Sequence, residues 1–408
     1  MMKRSCTTCI YCIALGLLSI ATSAQAIRPG LTGLTALADS PETAFWNPAG
    51  ITRLPESLEL QLVTAYSHSQ FKVEEATFPG GDPDEQDNIF LIPGVYYANP
   101  LNDKWSYGFS VNVPSGFGQD YGKSWSGRYL SQTSSLTFVA INNSLAYRLS
   151  DELSFAAGIQ VMYVSSESKT RVDNIGPRGD GRFELDEDGF GPGFTLSSLY
   201  EPSPETRFGI TYRSKTKIDL SGNPQFNNID NAYLVILNDL GLLGSEVDVD
   251  FEVPQQVQLG VFHQLNDRFS ITADILWIDM SEFGVTSVSA GPDHVSVESI
   301  FEDSYLASVG LGYRWDSRTQ LNFGVGYMTS PADDDERTLY LPLDEIWIYG
   351  VGVERELHNG DIVTVNLEYL DIGNAPVDQE NSALTGRVKG EYSDNYVALL
   401  NVSYRFNL

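Results

Sequence analysis

From Leu400 to Leu408 the even positions are Leu400, Val402, Tyr404, Phe406 and Leu408, and the odd ones are Asn401, Ser403, Arg405 and Asn407. Strict period-two alternation gives a strand one face suited to an apolar phase and one suited to water. The pattern recurs where Trp105, Tyr107, Phe109, Val111 and Val113 alternate with Ser106, Gly108, Ser110 and Asn112, and again over 207–213, 320–327 and 363–369. A soluble sheet shows such alternation too. A secretion signal ahead of these strands, no cysteine after Cys12 and a terminal alternating strand point instead to an outer membrane. The expected fold class is all-β: a transmembrane antiparallel β-barrel of about 14 strands with a small N-terminal lumenal hatch.

The leader reads directly. Lys3 and Arg4 precede an apolar run from Ile10 to Ala21 and the small-residue site Ser23-Ala24-Gln25-Ala26, so residues 1–26 form a signal peptide and the mature chain begins at Ile27. Roughly a dozen apolar residues are too few to span a bilayer, which needs about 20. Cys6, Cys9 and Cys12 leave with the leader, so disulfides and thiolate metal sites are not expected. A net charge of −29 disfavours nucleic acid as a partner. The acids gather in 74–87 and in Asp333-Asp334-Asp335-Glu336, which read as solvated loop faces.

Turn signals come in two lengths. Short ones lie at 99–103, 150–152, 201–205, 266–267, 316–317 and 358–360; long ones lie at 72–88, 115–132, 174–181, 221–246, 284–301, 330–341 and 373–390. They alternate without exception, which suits short periplasmic turns and longer outer loops. Two pieces fall outside the rhythm. Residues 27–56 carry Leu31, Leu34, Leu37, Phe45 and Trp46 and are expected to plug the lumen, leaving 57–408 as the barrel. Ile229–Leu243 is expected to form a short helix over the outer mouth.

Several residues invite function. Pro114, Gly116 and Gly118 lie where the third strand should continue; they either end it or break its pairing with a neighbour. Asn47-Pro48 suits an ordinary turn. Leu276 and Ile278 fall on the inward phase set by Ser270, Thr272 and Asp274, as an apolar lumenal wall or after a bulge.

The chain resembles the FadL family of outer-membrane transporters for long-chain fatty acids and aromatic hydrocarbons. The resemblance rests on Gly33-Leu34 leading to Asn47-Pro48-Ala49-Gly50, on Pro114 to Tyr121 followed by Gly127-Arg128-Tyr129, and on Leu145-Ala146-Tyr147-Arg148. It continues through Thr211-Tyr212-Arg213-Ser214, Ser330-Pro331, Leu341-Pro342 and Trp347. It implies a hatch whose Asn-Pro-Ala motif touches a kinked third strand, and a wall opening at Pro114, Gly116 and Gly118. It makes Ile27 and Leu31 candidates for the deep pocket, with plain hatch packing as the alternative. Lys169 and Arg171 match a basic position suited to a carboxylate headgroup, or are loop solvation. Glu302 stands where that pattern has a lysine, which favours neutral hydrocarbons over anions.

The expected function is passive transport of hydrophobic small molecules with sideways exit, without cofactor. The rivals are a general porin for polar solutes and a structural or receptor barrel. Catalysis is not expected: His68, His263, His294 and His358 are scattered, and no nucleophile elbow or phosphate loop occurs. Expected partners are the substrate, outer-membrane lipid and lipopolysaccharide, and the barrel-assembly machinery, with the protein a monomer.

Overall fold

The structure, a computed structural model, describes residues 28–408 apart from 175, 176, 178, 240–242, 291, 292, 298, 335, 341, 342 and 383. The leader, Ile27 and Leu341-Pro342 lie outside the described residues. Fourteen antiparallel strands close into a barrel. They are β1 (Ser57–Ala76), β2 (Gln86–Pro100), β3 (Trp105–Asp120), β4 (Thr133–Arg148), β5 (Leu153–Val172), β6 (Gly181–Ser203) and β7 (Thr206–Arg213, then Thr216–Gly222). There follow β8 (Val247–Val253, then Gln256–Gln264), β9 (Phe269–Ile278, then Gly284–Ala290), β10 (Asp293–Ser296, then Ser304–Arg314), β11 (Thr319–Met328), β12 (Ile346–Glu356), β13 (Ile362–Asp371, then Pro376–Ser382) and β14 (Gly386–Asn407). Closure is the pairing of the last strand with the first, Ser57 opposite Asn407 and Leu62 opposite Val402. No helix among the described residues is long and apolar enough to cross a membrane.

Alternation sorts the side chains as the sequence suggests. On β5, Phe155, Ile159 and Val161 are exposed to lipid, while Ser154 and Gln160 are buried inward. The interior, however, is not polar throughout. Toward the outer side the inward positions become Val63, Ala65, Leu136, Phe138, Met162, Val164, Leu185, Leu220, Val249 and Phe251, all buried in one apolar cluster. Rings of Phe138, Phe251, Phe283 and Phe301 follow one another at centroid spacings of 6.1, 5.3 and 5.8 Å.

Two stretches expected as loops are largely ladder. Gly284–Ala290 pairs with Val247–Val253, and Pro376–Ser382 pairs with β14, extending the wall beyond the membrane. Outside the bilayer neither face must be uniformly apolar, so the period-two signal fades there. The helix expected in Ile229–Leu243 spans Asn231–Asp239.

Candidate functional site

Residues 28–56 lie inside the barrel in three short helical turns, Pro29–Leu31, Thr43–Trp46 and Pro48–Arg53. Main chain can lie this close to the wall only where the wall lacks side chains. A Cβ on Gly324 would collide with the Pro29 carbonyl, and one on Gly350 would sit 2.5 Å from the Gly30 nitrogen. With Gly209 against Thr35 and Gly310 against Thr32, these glycines form a seat on the inward phase of four strands. Single glycines in a strand often mark such close backbone approach. Their shared inward phase was readable in the sequence, and it was the signal overlooked there.

Polar contacts then fix the plug. Asp274, 2% exposed on β9, accepts from the Gly33 and Thr35 amides at 2.6 and 3.1 Å. Ser308 donates to Leu31 O at 2.8 Å, and Gln61 donates to Glu42 at 2.8 Å. Arg53 pairs with Glu201, and Arg148 donates to Thr52 O. Asn47 is fully buried: its amide nitrogen donates to Thr35 O at 2.7 Å and Ser198 O at 3.1 Å, and its oxygen accepts from Ala49 N at 3.2 Å. Ala49 N also reaches Ser197 Oγ at 3.0 Å. Pro48 starts the following turn, and Gly50 permits the approach of Ala38 and Thr43. The motif's hydrogen bonds therefore run to β6, not to the kinked strand as the resemblance implied. What touches β3 is apolar: Ala44 and Ile51 lie over Gly108.

The kinked strand opens the ladder on one side. On β3 Asn112 faces Ala140 and Ser115 faces Phe138, so Val113 and Pro114 together oppose Val139 in a bulge. The bulge reverses the side-chain phase, turning Ser115 and Phe117 inward and Gly116 and Gly118 outward. Pairing with β4 continues to Asp120, whereas pairing with β2 stops at Val95 opposite Val111. Among the described residues the two strands meet again only through side chains. Gln86 accepts from Asp120 N at 2.7 Å and donates to Asp120 O, and Asn88 donates to Gly118 O at 3.5 Å. The result is a window with a side-chain lintel. A cavity of about 480 Å³ occupies it, lined by Phe90, Ile92, Val113 and Phe117 and reaching inward to Leu370 and Leu399. Ile89 and Leu91 flank it on the lipid side, 71% and 66% exposed. The Phe90 ring lies across it, 3.6 Å from where a Cβ on Gly118 would be.

A smaller cavity of about 150 Å³ lies under the outer helix, lined by Leu130, Phe183, Phe226, Ile229, Tyr233 and Leu237, with Tyr129 at its edge. Burial and the neighbouring Asp180 push the Tyr129 phenol up to about 12, so it remains a neutral donor to that carboxylate at 2.9 Å. A wider concavity of about 910 Å³, lined by Ile271, Val309, Phe323 and Val351, lies on the lipid-facing side.

The other candidates separate. Leu31, Leu276 and Ile278 come together in or against the apolar lumenal cluster. The β8–β9 and β9–β10 registers run unbroken past Leu276 and Ile278, so no bulge intervenes and both face inward. Lys169 falls on the outward phase of β5, between inward Ser168 and the following Thr170, and pairs with Glu167. It therefore faces away from the lumen. Arg171 borders the cavity under the outer helix. Glu302 is exposed before β10's long segment, its amide bonded to Pro331 O at 2.9 Å. At that exposure its charge is screened by water.

A family model described as outer membrane protein transport protein (OMPP1/FadL/TodX) matches residues 9–406. The long-chain fatty acid transport protein of Escherichia coli O157:H7 is 22% identical over 386 residues, covering 85% of this chain and 86% of its own. The 47 kDa outer membrane protein of Pasteurella multocida (strain Pm70) is 23% identical over 412 residues, covering 94% and 92%. Among solved structures, a Pseudomonas aeruginosa FadL homologue superposes with a TM-score of 0.83 at 18% identity, covering 96% of this chain and 99% of that one. The Ralstonia pickettii toluene transporter TbuX gives 0.67 at 19% identity, covering 95% and 98%. At these identities the structures are alike in fold.

Proposed function

Because the chain belongs to the OMPP1/FadL/TodX family of outer-membrane transport proteins, we propose that it carries hydrophobic small molecules passively across the outer membrane and releases them sideways. Long-chain fatty acids and neutral or aromatic hydrocarbons are the substrate classes this reading admits. Solutes enter at the apolar cavity beneath the outer helix, move along the apolar inward positions above the plug, and leave between β2 and β3. The window carries the proposal: the ladder is interrupted where an apolar cavity reaches from the lumen to lipid-facing Ile89 and Leu91. Sideways release has a physical advantage. A solute leaving straight into the periplasm must be rehydrated at about 0.8 kcal/mol per CH₂, whereas passage into lipid avoids that cost.

Deleting Pro114 removes the extra residue of the bulge and lets β3 pair with β2 over its full length. Uptake of a radiolabelled hydrophobic probe by cells bearing this variant is expected to fall at least about tenfold, with the barrel still folded by its heat-dependent gel mobility. Undiminished uptake by a folded variant would remove the lateral route. The porin alternative is tested by liposome swelling, where free entry of sugars would favour it.

A further inference from the structure

The cavity between β2 and β3 is polar at one end. Ser69 on β1 pairs directly with Gln86, whose side chain reaches across the window to the Asp120 amide at 2.7 Å and to the Asp120 carbonyl. That bridge brings Ser69, Gln86 and Gln119 together at the lintel. Ser69 and Gln119 both line the cavity of about 480 Å³, as does Asn395 of β14. Gln86 has its partners, whereas the hydroxyl of Ser69, a residue 4% exposed, and the carbonyl oxygen of Gln119 are buried with no hydrogen-bond partner. Among the described residues no lysine, arginine, aspartate or glutamate lines the cavity. His68, which does, is paired with Asp87 at 2.8 Å. The chain neighbours of the two glutamines add negative charge: Gln86 stands between Glu85 and Asp87, and Gln119 precedes Asp120. Away from the lintel the lining turns apolar, with Phe117, Leu370 and Leu399.

Buried polar groups are nearly always hydrogen-bonded, so two orphans at one end of an apolar cavity mark the place of a small polar group. Charge decides its kind. An anion would leave water for a cavity that offers no cation and has carboxylates beside its lintel, which is strongly unfavourable. A hydroxyl suits both orphans at once, accepting from the Ser69 O–H and donating to the Gln119 carbonyl oxygen. We propose that the window binds the hydroxyl end of a neutral amphiphile, a long-chain alcohol or a phenol, with Ser69 and Gln119 as its partners. The hydrocarbon lies against Phe117, Leu370 and Leu399, and the two oxygens turn into the cavity as the hydroxyl arrives. A carboxylic acid fits the same pair only in its protonated form. The site rests on the transport reading above and narrows its substrate class at the point of exit.

The test uses p-cresol, toluene and p-toluate, which share a methylated ring and differ at the para position. At pH 7 the phenol is neutral and the toluate ionised. Binding of each to the purified full-length protein is measured by calorimetry, with partition into protein-free detergent micelles subtracted. Wild type is expected to bind p-cresol about tenfold or more tightly than toluene, the scale of two net hydrogen bonds, and to bind p-toluate more weakly than p-cresol. Ser69→Ala and Gln119→Leu are each expected to cut the preference for p-cresol at least about threefold, leaving toluene unchanged, and the double variant to abolish it. No binding of p-cresol to wild type, or binding equal to that of toluene as when water satisfies both oxygens, overturns the site. So does p-toluate bound as tightly as p-cresol, or an undiminished preference in the double variant. Should the double variant fail to fold, an undiminished preference in the single variants overturns it equally. Failure of the transport reading looks different: the preference for p-cresol persists, while deletion of Pro114 leaves uptake of the hydrophobic probe undiminished.

Discussion

Asp274 shows how much one side chain contributes to holding the plug. It is a wall residue, almost wholly buried, and it accepts from two plug amides. Hydrogen bonds to a charged acceptor contribute about 1.5–3 kcal/mol each. Asp274→Asn keeps the shape but turns one acceptor into a donor facing an N–H. The amides of Gly33 and Thr35 are then expected to exchange with deuterium at least about tenfold faster, a loss of about 1.4 kcal/mol or more, while the barrel's own amides stay protected. Equal exchange in the two proteins would show that the glycine seat alone retains the plug. The seat can be tested separately. Gly324→Val places a side chain where the Pro29 carbonyl lies, and is expected to expose residues 28–31 to protease added from the periplasmic side. Resistance of that segment would show that the wall can yield instead.

Among the elements, the bulge in β3 and the loop between β11 and β12 carry most of what distinguishes this barrel from a plain cylinder. The plug's hydrogen bonds and ion pairs reach β1, β4, β5, β6, β7, β9, β10 and β14. Toward β2 the plug's tie is Tyr97, which donates to Glu56 at 2.7 Å where the plug runs into β1, and at Gly108 the plug meets β3 through the apolar side chains of Ala44 and Ile51. The loop of 329–345 is organised by Arg337, whose side chain is 1% exposed. It donates to Leu343 O at 2.9 Å and Pro376 O at 3.2 Å, and pairs with Asp334 and Asp344. Arg337→Ala strands the half-buried Asp344 and two carbonyls, at a cost of about 3–5 kcal/mol to the loop. Protease added to intact cells should then cut between 330 and 345 in the variant and not in wild type. Equal resistance would place the loop's stability in the neighbouring cluster of Tyr121, Leu339 and Tyr392 instead.

At the level of the whole molecule, stability depends on an exterior that lipid accepts at every outward position. Ile159 is 67% exposed on β5, midway between the outward aromatics Phe155 and Tyr163. An arginine at mid-bilayer on a barrel exterior costs about 2–4 kcal/mol. Ile159→Arg is therefore expected to lower the free energy of folding into vesicles, read from denaturant titration, by that amount, whereas its inward neighbour tolerates polarity, being Gln160 already. A variant as stable as wild type would place residue 159 at an interface rather than at mid-membrane. Closure of β14 on β1 makes the wall continuous, and the loss of pairing between β2 and β3 beyond Val95 opposite Val111 is the interruption that lies beside a cavity.

The sequence alone determined the strands within the membrane, their number, and the outward sense of residues such as Phe109 and Val402, while for Leu276 and Ile278 it left a bulge open that the unbroken register excludes. Lipid on one side and a lumen on the other force a side-chain period of two, and that period survives without knowledge of any neighbour. It also marked Pro114 as a disturbance, since a proline cannot donate to a ladder. Only the tertiary structure decided which neighbour loses its pairing there, because a bulge leaves β3 bonded to β4 and unbonded to β2, a matter of register between strands. It alone placed Asn47 against β6, turned Lys169 outward and left Glu302 in solvent. It alone brought Arg213 over the rings of Phe45 and Trp46, 168 and 167 positions away in the chain. Such placements depend on where the plug comes to rest against the wall, and local pattern carries no record of that distance.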